Sequence, residues 1–300
     1  MGEVPEFLKE KLVKQYGEDL TCKIIEGYSK KRKLTIRVNT LKTSVLEVKN
    51  VFDKEGIVYS NVSWSDEALV IENKVEADLR KLDLYNDGKI YMQSLSSMLP
   101  PIILDSKKDE DILDMCAAPG SKTTQIAALV ENEARITACE MNKVRTERLN
   151  YNIDKLGANC IFVLNTDSRN LDDFFSFDRI LLDAPCSGSG TINLDDPKLD
   201  KVFTEKLVSK SIKAQMTLLN KAMKVLKPGK EMVYSTCSIL EEENENIVNN
   251  ILKNNKCEIV PIDIMDSQIK LLPSKIKGTL CVLPTEEYEG FYIAKLRKLK

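Results

Sequence analysis

Apolar residues recur at helical spacing at the start of the chain, in Phe7, Leu8, Leu12 and Val13 and again in Leu20, Ile24 and Ile25. This predicts two short helices meeting near Gly17. The period then drops to two: Leu34, Ile36 and Val38 alternate with Thr35, Arg37 and Asn39, so a strand here presents its polar residues on one face. A helix over 45–56, a hairpin region over 58–71 turning around Ser65 and Asp66, and an unassigned stretch over 75–84 follow. Asn86, Asp87 and Gly88 form a turn, and residues 89–104 (KIYMQSLSSMLPPIIL) read as a strand and then a short helix ending at Pro100 and Pro101. Beyond that point apolar strand runs alternate with amphipathic helices. Strands are predicted over 112–116, 135–139, 160–165, 179–183 and 231–235, with helices starting near Ser121, Asn142, Glu205 and Glu241. Such alternation argues for a parallel doubly wound sheet. Two further strands, over 257–262 and 291–296, lack a full helix between them and predict a closing hairpin with an antiparallel last strand. The boundary falls at residue 88, giving a small α+β domain of 1–88 and an α/β domain of 89–300.

Composition narrows the class. Forty-three per cent hydrophobic and 30% charged over 300 residues is a core-forming balance. No apolar run approaches the roughly 20 residues of a membrane span, and residues 1–20 carry charges throughout instead of a signal-peptide core, so a cytoplasmic protein with no membrane partner is expected. The eight cysteines form no C-x-x-C pair and there is no histidine. That argues against structural zinc and excludes histidine as a general acid or base. A net charge of −2 gives no global sign of nucleic acid. Residues 30–42 (KKRKLTIRVNTLK), however, hold six basic residues and no acid: Lys30, Lys31, Arg32, Lys33, Arg37 and Lys42. They are either a solvated helix end or a contact for RNA phosphates.

Candidate chemistry gathers at the predicted strand ends, where open α/β sheets bind ligands. Residues 111–124 (DILDMCAAPGSKTT) read as strand, tight loop and helix, with Ser121 placed to cap the helix. The loop has neither G-x-G-x-x-G nor the P-loop pattern, so a diphosphate is not its natural ligand. Glu140, 20 positions after Gly120 (140 − 120), stands where an acid accepts ribose hydroxyls, and Asp167 can reach the adenine side. An adenosine-bearing ligand without phosphates fits this set, and S-adenosylmethionine is one. Asp183-Ala184-Pro185-Cys186 and Ser235-Thr236-Cys237-Ser238 end what should be neighbouring strands, which would bring two thiols to one crevice. C5 of cytosine is not nucleophilic, but a thiolate adding to C6 makes an enamine that attacks a methyl donor at C5. A free thiol has a pKa of about 8.5, so local positive charge is required, and Lys122 is the nearest candidate. Asp183 could hydrogen-bond the ring N3. Either cysteine by itself is equally consistent with a buried small hydrophobe.

At this point the motifs are specific. R-V-N-T at 37–40, Y-M-Q-S-L-S-S-M at 91–98, D-M-C-A-A-P-G-S-K-T at 114–123, D-A-P-C-S-G at 183–188, K-P-G at 227–229, Y-S-T-C-S at 234–238 with E-E-N at 242–244, and G-F-Y-I-A-K-L at 290–296 span nearly the whole chain. The chain resembles the NOL1/NOP2/Sun (RsmB-like) RNA cytosine-5 methyltransferases, especially the short archaeal tRNA members. The resemblance implies a Rossmann-like class I methyltransferase domain, mostly parallel with an antiparallel last strand, behind an RRM-like N-terminal domain. It implies an S-adenosylmethionine-dependent monomer acting on RNA, tRNA before rRNA, with any accessory protein unreadable. Cys116, Ala117, Ala118, Pro119, Gly120, Ser121, Lys122, Glu140, Arg145, Asp167 and Asp183 would bind the cofactor, Cys237 would be the nucleophile, and Cys186 would assist product release. Three departures stand out. Ser121 replaces a more usual Gly, residues 192–197 (INLDDP) stand where basic residues are usual, and Cys281 stands where relatives tend to carry Arg. Two other readings share parts of this pattern. An amino-group methyltransferase would prefer N/D-P-P-Y at the fourth strand, and a non-catalytic RNA-binding protein would not need both thiols.

Overall fold

The computed structural model describes residues 3–196, 199–253, 256–263 and 269–300. They form two compact units: a continuous one, Lys33–Leu181, and a split one, in which residues up to Arg32 join Leu182–Lys300. Helix α1 (Glu6–Ser29) opens the split unit and breaks at Gly17, where φ is 77° and ψ 170°. The two predicted helices therefore meet where glycine tolerates left-handed φ.

The continuous unit begins with β1 (Leu34–Val38), α2 (Val45–Lys54), β2 (Tyr59–Val62), β3 (Ser65–Ile71), α3 (Glu76–Leu79), α4 (Asp83–Asn86) and β4 (Ile90–Met92). Its antiparallel sheet has the order β2-β3-β1-β4. Ile36 and Val38 of β1 and Leu69 and Ile71 of β3 share a core with Val48 and Phe52 of α2. Ser44 caps α2 by accepting from the Glu47 N–H at 3.2 Å. The hairpin turns at Ser63 and Trp64, slightly earlier than expected, since Ser65 already pairs with Val62.

Helix α5 (Leu95–Leu104) runs through Pro100 and Pro101 instead of ending there. Pro101 has no N–H for the Ser97 carbonyl, and Gln93 Nε2 donates to that oxygen in its place, at 3.2 Å. Then come β5 (Asp111–Asp114), α6 (Ser121–Leu129), β6 (Arg135–Cys139), α7 (Lys143–Leu156), β7 (Ile161–Leu164) and β8 (Phe177–Asp183), close to their predicted positions. The strands run parallel in the order β8-β5-β6-β7. Ile112, Leu113, Ile136, Ala138 and Ile180 are buried, as apolar runs in parallel strands require.

In the split unit, α8 (Leu199–Val202), α9 (Glu205–Val225), β9 (Leu226–Thr236), α10 (Glu245–Leu252), β10 (Cys257–Ile259), β11 (Leu280–Val282) and β12 (Phe291–Lys298) follow the end of β8. The strand order is β10-β12-β9-β8. β12 runs antiparallel to β9, from Tyr292 opposite Thr236 to Arg297 opposite Glu231, as expected for the last strand. The two closing strands pair antiparallel as expected, Cys257 opposite Lys298, but not as a simple hairpin: the three-residue β11, too short to show a period, lies between them in sequence and also pairs with β12. Helix α10 starts at Glu245, later than expected, because residues 241–244 form turns. Parallel strands alternating with helices, closed by one antiparallel strand, make this the Rossmann-like α/β class. Among the described residues no helix is long and apolar enough to cross a membrane.

One expected face is corrected. Thr35 and Arg37 of β1 share one face with Asn39 just beyond it, as expected, but that face is internal: all three are buried, including Arg37, which the basic stretch offers as an RNA contact. Thr35 Oγ1 donates to the Gln93 carbonyl at 2.6 Å, and Arg37 donates through Nε to Gln93 Oε1 at 3.0 Å and through Nη2 to Thr124 Oγ1 at 3.2 Å. Burial lowers the Arg37 guanidinium to about 10, which leaves it charged at neutral pH. Arg37 is thus an internal tie and not a phosphate contact. Replacing Arg37 by Met removes both charged hydrogen bonds and strands Gln93, so stability in urea should fall by about 2 to 4 kcal/mol. A loss below about 0.5 kcal/mol would show that the tie contributes nothing.

Candidate active site

Asp114 ends β5 and fixes the loop that follows. Its Oδ1 accepts the Cys116 N–H at 3.3 Å and its Oδ2 accepts the Thr123 hydroxyl at 2.7 Å, which ties both ends of residues 116–122 to one carboxylate. Within the loop Ala117 N–H donates to the Cys139 carbonyl at 2.9 Å. Gly120, at φ 107°, is the N-cap of α6; Ser121 is its first residue and caps nothing, contrary to expectation. A Cβ at Gly120 would lie 2.9 Å from Leu149 Cδ1. Lys122 is buried, and its Nζ donates to Ser97 Oγ at 2.8 Å.

Glu140 lies one residue beyond β6 and is 3% exposed. Its Oε1 accepts the Asn142 N–H at 2.8 Å, and Arg145 Nη1 is 3.3 Å from its Oε2. Arg145 Nη2 donates to the Ala118 carbonyl at 2.7 Å, so one guanidinium joins the buried carboxylate to the loop. Asp167 caps the turn Ser168–Asn170 and accepts from the Arg169 N–H at 3.0 Å and Nε at 2.9 Å. Those bonds hold its carboxyl below the usual range. Two carboxylates at successive strand ends, with Ala117, Ala118 and Gly120 between them and the loop lysine turned onto Ser97, make a site that accepts hydrogen bonds from hydroxyls and favours a cation. It suits S-adenosylmethionine better than a nucleotide phosphate.

The split unit holds the second group. Ala184 N–H donates to the Ser235 carbonyl at 2.8 Å, which aligns the ends of β8 and β9, and Ser235 Oγ donates to Asp183 Oδ1 at 2.8 Å. From these ends Cys186 and Cys237, both free thiols, bring their sulfurs to 3.1 Å. The Cys186 thiol is pushed well above the ordinary range by its hydrogen bond to Cys237, then by desolvation and by the charges of Cys237 and Glu243. These causes favour the protonated thiol at Cys186. Elsewhere burial raises Cys139 and Cys281 to about 12 and Cys257 to about 11, the behaviour of inert core thiols.

Backbone packing fixes the loops. Gly190 N–H donates to the Cys237 carbonyl at 2.9 Å and Gly290 N–H to the Gly190 carbonyl at 2.8 Å. A Cβ at Gly190 would stand 1.9 Å from the Gly290 oxygen, so only glycine permits the approach.

Comparison with known proteins identifies the family. The family model described as 16S rRNA methyltransferase RsmB/F matches residues 101–297, and a ferredoxin-like domain of RsmF/B-like methyltransferases matches residues 4–78. This chain belongs to the RsmB/F (NOL1/NOP2/Sun) family. That family methylates RNA and uses S-adenosylmethionine. Ribosomal RNA small subunit methyltransferase F of Vibrio vulnificus is 37% identical over 279 residues, covering 88% of this chain and 57% of that protein. The chain thus spans a little over half the length of that curated relative. A methyltransferase homolog from Pyrococcus horikoshii is 33% identical with a TM-score of 0.83, covering 99% of this chain and 100% of that one. NSun6 from the same organism, crystallised with the S-adenosylmethionine analogue SFG, is 26% identical with a TM-score of 0.88, each chain 99% covered.

The remaining RsmB/F positions are placed as follows. Lys30 pairs with Glu26 at 3.3 Å, Lys33 with Glu72 at 3.1 Å, and Lys42 Nζ donates to the Asp87 and Lys155 carbonyls at 3.0 and 2.6 Å. Lys31 is exposed, and Arg32 Nη1 donates to the Gly27 carbonyl at 3.3 Å. In the departure at 192–197, Ile192 and Leu194 are buried, Asp195 and Asp196 are exposed, and Pro197 lies outside the described residues. Cys281 is buried with its sulfur 3.6 Å from the Tyr16 hydroxyl. Residues that sequence reasoning missed are Glu243, Gln215, Ser187 and Ser238, all hydrogen-bonded around the cysteine loops. The signal for Glu243 is the E-E-N motif, which looks like a solvated helix start; Ser187 and Ser238 stand inside the D-A-P-C-S-G and Y-S-T-C-S motifs, and Gln215 stands in none.

Because the causes acting on Cys186 favour its thiol, iodoacetamide should leave it nearly unmodified at neutral pH and alkylate it only in strongly alkaline solution. Peptide mapping across a pH series checks this; rapid labelling of Cys186 at pH 7 would contradict the proton assignment.

Proposed function

We propose that this chain is an S-adenosylmethionine-dependent RNA cytosine-5 methyltransferase in which Cys237 is the nucleophile. The observation that carries the reading is the pair of thiols 3.1 Å apart at the ends of β8 and β9. An amino-group methyltransferase has no use for two adjacent sulfurs, whereas cytosine chemistry needs one thiol to add and a second group to help it leave. In this reading Cys237, receiving the Cys186 proton as a hydrogen bond, adds to C6 of the base. S-adenosylmethionine supplies the methyl group when bound. Asp183 meets the ring N3 edge as charge builds there. Once the Cys237 sulfur is bonded to carbon, its charge and its hydrogen bond no longer hold the Cys186 proton in place. Cys186 can then release that proton to solvent and, as a thiolate, take the one on C5; the electron pair left at C5 re-forms the C5–C6 double bond as the Cys237–C6 bond breaks and Cys237 departs as a thiolate. The base must leave its stack to reach either thiol, which favours a loop or loosened junction as the target.

For the cofactor, residues 116–122 with Glu140, Arg145 and Asp167 are assigned to adenosine and ribose. Residues 1–88 form the RNA-binding part in this reading, with Lys30, Lys31, Arg32, Lys33 and Lys42 as its cations, and residues 89–300 form the methyltransferase part. tRNA is the substrate favoured by the motif resemblance. The curated relatives' names support small-subunit rRNA as a second reading. Methylation of total tRNA and rRNA with labelled cofactor, followed by bisulfite mapping, separates the two.

The thiol roles are tested by trapping. Cys237→Ala should abolish turnover and form no covalent RNA adduct, while Cys186→Ala should methylate once and stall as a slower RNA–protein band on a denaturing gel. The reverse pattern exchanges the two roles. For the cofactor, Glu140→Ala removes a charge-assisted hydrogen bond of about 1.5 to 3 kcal/mol, so affinity should fall roughly ten- to a hundred-fold. Unchanged affinity by calorimetry in a folded variant would remove Glu140 from the site.

A further inference from the structure

We infer that Glu243 is the positioning residue of the thiol pair: one buried carboxylate sets the spacing of Cys186 and Cys237 by gripping the serine that follows each of them. The inference rests on the thiol-pair reading of the active site and deepens it. Glu243 is 0% exposed. Its Oε1 accepts the Ser187 N–H at 2.8 Å, and its Oε2 accepts both the Ser187 hydroxyl at 2.5 Å and the Ser238 hydroxyl at 2.6 Å. One oxygen atom thereby bridges the residue after Cys186 to the residue after Cys237. Gln215 Nε2 adds a third tie, reaching Glu243 Oε1 at 3.3 Å and the Pro185 carbonyl at 3.0 Å, so the residue before Cys186 is held as well.

The carboxylate is itself held by its neighbours. Tyr234 donates its hydroxyl to the Glu243 carbonyl at 2.6 Å, and Asn244 accepts from Thr236 Oγ1 at 2.6 Å while donating to the Ser238 carbonyl at 2.8 Å. Residues on both sides of Cys237 are thus fastened to the turn that carries Glu243. A carboxylate is the group this geometry requires. The Ser187 oxygen already accepts the Ser189 N–H at 3.3 Å and the Ser238 oxygen the Leu240 N–H at 3.1 Å, so their protons point to Glu243 and need an acceptor there. A glutamine would set an amide N–H₂ against one of these donors. The charge also acts on the chemistry, since Glu243 is among the causes that keep the proton on Cys186, beside Cys237 and desolvation. Tyr234 and Asp183 are the other titratable groups of the two strand ends.

The test uses the full-length protein and compares Glu243→Gln with Glu242→Gln, whose carboxylate is half-exposed and paired with Lys11 at 2.8 Å. Two quantities are read: the pH profile of iodoacetamide labelling at Cys186 and Cys237 without RNA, and the single-turnover rate of methyl transfer at saturating cofactor and RNA. Glu243→Gln should move the Cys186 profile to lower pH and slow transfer about 100-fold with KM little changed, the size of effect a misplacement of about 1 Å produces. Glu242→Gln should leave both at wild-type values. A folded Glu243→Gln protein with wild-type labelling and transfer overturns the inference. Should Glu243→Gln fail to fold, Ser187→Ala and Ser238→Ala each remove one grip, and wild-type labelling and transfer in both overturn it equally. A shifted profile in a protein whose wild type makes no 5-methylcytosine would uphold the positioning and overturn the proposed reaction alone.

Discussion

Two sulfur atoms 3.1 Å apart can share one proton, and much of the split unit serves that distance. Two thiolates this close would repel, and two free-rotating thiols would seldom meet. The hydrogen bond between them lets the sulfurs stand this close and makes the two unequal by favouring the protonated form at Cys186. The inequality has a cause that can be followed outward: the strand ends are aligned by Ala184 and Ser235, the loops are clasped by Gly190 and Gly290, and a carboxylate grips the serines. None of these groups is chemically reactive. Together they hold the two sulfurs in a single arrangement.

The continuous unit solves a different problem by similar means. Its loop after β5 has few side chains capable of holding a ligand, so its shape has to come from outside it. Asp114 holds its two ends, and Arg145 reaches from α7 to its middle while touching the Glu140 carboxylate. A shift of Arg145 would therefore move a backbone carbonyl and a carboxylate together. The buried charges here, Arg37 included, are all met by donors or acceptors, which is the condition for keeping them inside.

Much of this was legible in the chain. Strong periodic segments placed β1, α2, β6, α7 and α9 within a few residues, because burial on one face or on both leaves a mark in the order of apolar positions. The motif residues Cys186, Cys237, Glu140 and Asp167 were found as strand-end residues. Other features left no such mark. Alternation shows that β1 has a polar face but not whether water or Gln93 and Thr124 meets it, so in the sequence Arg37 looks like a phosphate contact. The prolines of α5 were read as a stop because the replacement donor, Gln93, comes from outside the helix. Three consecutive glutamates at 241–243 resemble a solvated surface, and the burial of the third depends on serines 56 and 5 residues away in sequence. β11 is too short for any period to register.

The placement of β12 ties the cysteine loops to an element remote from them in sequence. Residues 291–298 occupy the interior of the strand order, between β9 and β10. Without them β9 would have an open edge, and the Gly190 carbonyl would lack the Gly290 N–H that completes the chain of contacts from Cys237. Displacing this one strand would therefore loosen the spacing of the two sulfurs together with the sheet.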